Sequence, residues 1–121
     1  MEPDFRLTNA EGKLVELLWT HAPIASMELV SMALQEFGWK KSTTFTNLKS
    51  LIKKGIVTNE KATVNILYSR EDISEIRSCM YVDESFGGSL PLFIAAFTRR
   101  RKLSSGQVEE LKKLIDEVDL D

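Results

Sequence analysis

The chain has 121 residues, 43% of them hydrophobic and 28% charged, with a formal net charge of −2. This length and apolar share describe one globular domain with room for a small appendage, and they exclude a disordered or collagen-like chain. The longest apolar run, Leu90 to Phe97 with Pro91 inside it, falls well short of a spanning helix, and Met1 to Thr8 lacks the apolar stretch of a secretory leader, so no membrane insertion and a cytoplasmic location are expected.

In chain order, Thr8 or Asn9 can cap a first helix whose apolar residues Ala10, Leu14, Leu17 and Leu18 recur at helical spacing and which ends near Trp19. The stretch around Pro23 is a turn, and Ile24 can add a short strand. Ser26 is placed to cap a second helix with Glu28 in its first turn. Leu29, Val30, Ala33, Leu34 and Phe37 form its inner face, and Gly38 ends it.

A third helix is predicted from Ser42 to Gly55. Its inner side is Thr44 or Phe45, Leu48, Leu51 and Ile52. Ile56 to Thr58 and Val64 to Ser69 read as two strands joined by a polar turn from Asn59 to Ala62. Three helices followed by a hairpin make a winged helix-turn-helix, in which the second helix of the motif enters the major groove.

After Arg70 the pattern is helical again, with Ile73, Ile76 and Met80 in one stripe broken at Phe86-Gly87-Gly88. A strongly apolar segment follows from Leu90 to Lys102, closing in Arg99-Arg100-Arg101-Lys102. A third segment opens with a capping box of Ser104 and Gln107 and carries the seam Val108, Leu111, Ile115 and Val118. The expected fold is therefore mainly α with a small β-hairpin. Residues 1–70 are expected to form the winged helix-turn-helix and residues 71–121 a three-helix dimerisation region. Three short helices cannot bury Leu90, Phe93, Phe97, Leu111, Ile115 and Val118 by themselves, and a second copy of the chain is the simplest cover.

Charge is unevenly spread. Lys40, Lys41, Lys49, Lys53 and Lys54 fall in a window without any acid, whereas the tail from Ser105 to Asp121 holds six acids against two lysines. The basic window points to nucleic acid. Ser42, Thr43, Thr46 and Asn47 carry groups suited to base edges, while Lys40, Lys41, Lys49 and Lys53 can reach phosphates, with Ser50 on the same exposed side. The paired expectation is a homodimer on a palindromic double-stranded DNA operator, one half-site per subunit. A winged-helix module used only for protein contacts is the alternative. An enzyme is not expected, because Cys79 and His21 are each single and distant, and no P-loop, GxGxxG or HExxH pattern occurs. No cofactor is expected and no metal: one cysteine and one histidine cannot close a zinc site.

Several motifs together resemble the BlaI/MecI family of penicillinase repressors. They are Leu7-Thr8-Asn9-Ala10-Glu11 with Leu17-Leu18-Trp19, Trp39 with Thr43 and Thr46, Leu51 with Lys53-Lys54-Gly55, Phe86-Gly87-Gly88, Phe97, and Leu103-Ser104 with Glu109-Glu110-Leu111. The resemblance implies a winged-helix dimer that represses genes, often for β-lactam resistance, and that is cut when a membrane sensor protease is triggered. Departures are specific. Lys40-Lys41-Ser42-Thr43 replaces Ser-Pro-Lys-Thr, Phe45 stands where arginine or glutamine is usual, and Ser50 stands where arginine is usual, so a different operator sequence is expected. The hairpin Lys61-Ala62-Thr63-Val64-Asn65 lacks the frequent Gly-Arg, and the cysteine cluster of copper-responsive relatives is missing. Ala96 and Phe97 align with the asparagine and phenylalanine of the family's cleavage site. The phenylalanine alone is kept, so release by another signal, or by a protease of different specificity, is expected.

Overall fold

A computed structural model describes residues 2–121. The chain divides into two compact units, the first running to Ser78 and the second comprising Cys79–Asp121.

In the first unit, α1 (Asn9–His21) starts on a capping box. The Thr8 hydroxyl accepts from the Glu11 amide, and the Glu11 carboxylate accepts from the Thr8 amide. Leu14, Val15 and Leu18 recur on its buried face. Strand β1 (Ile24–Ala25) leads directly into α2 (Ser26–Phe37). Ser26 is the first residue of α2 and not its cap: Ala25 holds the cap position, and the Ser26 side chain is buried while its amide donates to Ala62 O. Leu29, Val30 and Ala33 point inward, but Leu34 is 58% exposed, so the buried stripe of α2 is narrower than its apolar pattern.

After Gly38, whose positive φ stops α2, the chain enters α3 (Lys41–Lys53). Thr44, Leu48 and Leu51 are its buried residues. The helix ends in a Schellman motif, in which Gly55 N–H donates to Ile52 O and Ile56 N–H to Leu51 O. Gly55 takes φ +80°, and Pro3 packs 3.6 Å from where a Cβ would stand. The expected inward position of Ile52 is corrected: it lies 39% exposed, because three inner residues already span the contact side.

Strands β2 (Val57–Glu60) and β3 (Thr63–Ile66) form an antiparallel hairpin, and β1 joins through Ile24 opposite Val64, giving the order β1-β3-β2. Only Lys61 and Ala62 make the turn, both at positive φ (51° and 62°), as a type I′ hairpin turn requires. Strand β3 is shorter than its alternating pattern predicts. Tyr68 leaves the ladder to set its ring edge-on against Phe5, and its carbonyl accepts from the Trp19 indole N–H.

Helix α4 (Arg70–Phe86) begins in this unit, with Ser69 and Asp72 exchanging amide and side-chain hydrogen bonds at its start. Ile73 is buried and completes the unit's core. The unit is a winged helix-turn-helix: α2 and α3 are the motif, and β2 and β3 are the wing.

The second unit contains the later turns of α4, then α5 (Leu90–Arg100) and α6 (Ser105–Glu117). Gly87 and Gly88, both at positive φ, end α4. Ser89 caps α5 by accepting from the Leu92 amide, and Ser104 with Gln107 forms the expected capping box on α6. Tyr81, Phe86, Phe93 and Phe97 make an aromatic cluster, with Phe86 and Phe93 ring centres 5.5 Å apart. Neither α5 nor α6 buries a single residue. Among the described residues, no helix is long and apolar enough to cross a membrane.

Candidate nucleic-acid interface

On an α-helix each residue turns about 100° from the last, so the buried trio Thr44, Leu48 and Leu51 fixes which side of α3 faces out. Opposite that trio lie Ser42, Thr46, Lys49 and Lys53, four residues at helical spacing and all exposed. Lys40, at the N-cap, and Lys41, in the first turn, are exposed as well. No acidic residue sits in the first turn of α3. Two lysines at the positive end of a helix dipole oppose helix stability by a few tenths of a kcal/mol each, a cost that an anion docked there would reverse.

The two shoulders of α3 differ. On one, Thr43, Asn47 and Ser50 are half-buried; Asn47 Nδ2 donates to Thr43 O at 2.9 Å, and Ser50 Oγ donates to Glu11 Oε2 at 2.6 Å. On the other, Lys41 Nζ stands 5.9 Å from the centre of the half-buried Phe45 ring, and the exposed Ile52 lies on the same side of the helix further along. Thr46 Oγ1 donates to Ser42 O within the helix and keeps its acceptor lone pairs outward. Ser42, Thr46, Lys49 and Lys53 thus share the outward face. Thr43 and Asn47 flank it, and Ser50 is turned toward α1.

Lys54, the fifth lysine of the acid-free window, does not join that face. Its ammonium donates to Glu11 Oε1 at 2.7 Å and to the carbonyl of Arg6. Glu11 is 2% exposed. Burial by itself raises the Glu11 pKa, but hydrogen bonds from Lys54, Ser50 and the Thr8 amide, with the charge of Lys54, outweigh it and bring the carboxyl down to about 2. Sequence reasoning missed this centre. The signal available was Thr8 followed three residues on by Glu11, the same capping-box spacing recognised at Ser104 and Gln107.

At the far end of α1, Arg70 makes two hydrogen bonds to the Glu16 carboxylate, at 2.6 and 2.7 Å, with its guanidinium 4.6 Å above the Trp19 ring. Trp19 and Trp39 are both half-buried, and Trp39 packs on Phe37. The wing tip pairs Glu60 with Lys61 in sequence, both exposed, so it presents little net positive charge.

In the second unit Leu90 is 55% exposed, Phe97 40%, Ile115 65% and Val118 59%, while Phe93, Ala96 and Leu111 are half-buried. Leu114, which the predicted seam leaves out, is 64% exposed beside it. The Ala96–Phe97 peptide bond lies inside α5. Among the described residues, no cluster of acidic, histidine and cysteine side chains could hold a metal ion.

Compared with known proteins, the chain matches the family model described as penicillinase repressor over residues 7–117. It belongs to the penicillinase repressor family. Family members of this kind are repressors and not enzymes. Relatives of the penicillinase repressor type include that of Bacillus licheniformis, 24% identical over 116 residues, covering 93% of this chain and 91% of that one. The methicillin resistance regulatory protein MecI of Staphylococcus aureus (strain N315) is 19% identical over 116 residues, covering 93% and 94%. Among solved structures, the DNA binding domain of the repressor BlaI superposes with a TM-score of 0.55 and 24% identity, over 60% of this chain and 93% of that domain. That likeness supports the winged-helix fold for the part of the chain it covers.

Proposed function

We propose that the chain is a dimeric repressor that binds a palindromic DNA operator in the cytoplasm, with α3 in the major groove. The observation that carries the reading is the exposed, acid-free face of α3. Ser42 and Thr46 offer groups for base edges, flanked by Thr43 and Asn47, while Lys40, Lys41, Lys49 and Lys53 reach phosphates on either side. Dimerisation is supported by the second unit, in which the apolar side chains of Leu90, Ile115 and Val118 are more than half exposed and Phe97 is 40% exposed. Membership of the penicillinase repressor family supports the regulatory role, and β-lactam resistance genes are the natural targets to test.

Release from the operator belongs to the same reading. A protease needs an extended segment, and the Ala96–Phe97 bond is helical and lacks the family's asparagine, which favours a different inducing signal or a protease of different specificity.

The test is operator binding on the chain's own upstream DNA across a salt series. Lys49→Ala should weaken binding to all sequences alike and lower the salt slope by about 0.9, one phosphate's share. Thr46→Val should relax preference at one base pair. If neither substitution alters DNA binding at low salt, α3 does not face DNA, and a winged helix used for protein contacts becomes the better reading.

A further inference from the structure

We infer that Glu11 is a positioning residue for operator recognition: from outside the DNA face, it sets the angle at which α3 presents its reading side chains. The inference rests on the reading of α3 as the DNA-contacting helix.

The carboxylate of Glu11 is filled by three donors. Oε1 accepts from the Thr8 amide at 2.8 Å and from Lys54 Nζ at 2.7 Å, and Oε2 accepts from Ser50 Oγ at 2.6 Å. Two of the three come from the last turn and C-cap of α3. The segment before α1 adds to the grip, because the Asp4 amide donates to Lys54 O at 2.8 Å, the Arg6 carbonyl accepts from Lys54 Nζ, and Pro3 packs on Gly55. Lys54 is thus held by backbone and side chain together.

Position on the helix gives this clasp its functional meaning. Ser50 follows Thr46 by four residues, about 40° around the helix, so a contact that fixes Ser50 fixes the roll of Thr46 and Lys49. Apolar packing by Leu48 and Leu51 resists removal of α3 from the core but tolerates small rotations, whereas hydrogen bonds of this length to a buried charge do not. A base contact depends on placement within a fraction of an ångström, and a phosphate contact by a long lysine does not. Loosening the clasp should therefore cost discrimination more than bulk affinity. Lys54 spends its charge inside the protein, leaving the DNA face to lysines that are free to follow the backbone.

The experiment measures affinity for operator and for random-sequence DNA at matched salt, with circular dichroism on each variant. Glu11→Gln keeps the shape and loses the charge. The ratio of specific to non-specific affinity should fall about tenfold, the worth of one well-placed base contact, while non-specific affinity and salt slope stay as they are. Ser50→Ala removes one hydrogen bond without touching charge and should move the ratio in the same direction, so it decides the question if Glu11→Gln does not fold. Lys54→Arg should keep most of the ratio and Lys54→Met should lose it. Thr8→Ala, which weakens the start of α1 but leaves the carboxylate on α3, should lower stability and spare the ratio.

The inference is overturned if Glu11→Gln and Ser50→Ala leave the ratio intact while Lys49→Ala still lowers the salt slope. It is equally overturned if Thr8→Ala lowers the ratio as much as Glu11→Gln, since the effect would then follow stability alone. If Lys49→Ala has no effect on DNA binding, the reading of α3 fails and takes this inference with it.

Discussion

The two units spend their apolar residues in opposite ways. Every buried apolar side chain among the described residues, from Phe5 to Ile73, belongs to the first unit. The second has α5 and α6 with no buried residue, yet its helices are as well punctuated as those of the first: a serine cap, a capping box and two glycines that end α4. Local signals therefore specify helices in both regions, but only the first supplies their core. The helix stripe of Leu111, Leu114, Ile115 and Val118 stays largely exposed within the chain, and the proposed dimer would supply the surface that covers it.

The sharpest way to break this contrast is to place charge in the second unit. Leu111→Glu with Ile115→Glu should give monomers in light scattering, because a desolvated unpaired charge costs several kcal/mol. Operator affinity should fall by roughly 10² to 10⁴ as two half-sites lose their linkage. Unfolding of the first unit, reported by Trp19 and Trp39, should not change. A dimer that survives the double substitution would mean that the exposed stripe is not the interface.

A second test works on the first unit alone and uses its buried carboxylate. Glu11 sits at about 2 in the folded chain against an ordinary 4.5. The folded value is the lower one, so its stabilisation is present above about pH 4.5 and is lost as pH falls toward 2, amounting to about 3 kcal/mol. In urea titrations followed by tryptophan fluorescence, the stability gap between wild type and Glu11→Gln should shrink by that amount between pH 6 and pH 2. A gap that stays constant over this range would show that the carboxylate is not held as an anion.

The smallest effect concerns a flaw in the core. Thr44 Oγ1 is fully buried and has no hydrogen-bond partner. Thr44→Val keeps the shape and removes the stranded hydroxyl, so it should raise the stability of the first unit by about 1 kcal/mol without altering self-association. A loss of stability would mean that the hydroxyl is satisfied in solution.

Sequence legibility follows the same division between local and distant causes. The helices, the hairpin and the third strand at Ile24 were legible because caps, glycines and periodicity act over three or four residues. The errors share a different origin. Leu34 and Ile52 carry the right periodicity but fall just outside the contact arc, whose width depends on how closely neighbouring helices approach. Tyr68 has strand propensity and continues the alternation, yet Phe5 and Trp19, both far away in sequence, draw it off the ladder. Within the candidate interface, the acid-free lysine window was visible as composition. That Lys54 and Ser50 turn inward depends on Glu11, some forty residues upstream, and no spacing rule within α3 could reveal it.

The capping box of Thr8 and Glu11 has one more consequence, for how the first unit opens. Most helix ends fray independently, at almost no cost and with no effect beyond their own turn. Here the side chain that closes the first turn of α1 is also the one that fastens the last turn of α3, so neither turn can melt without releasing the other. Two helix ends that are remote in sequence become a single cooperative element. The beginning of the folded chain is thereby mechanically continuous with the face that would meet DNA.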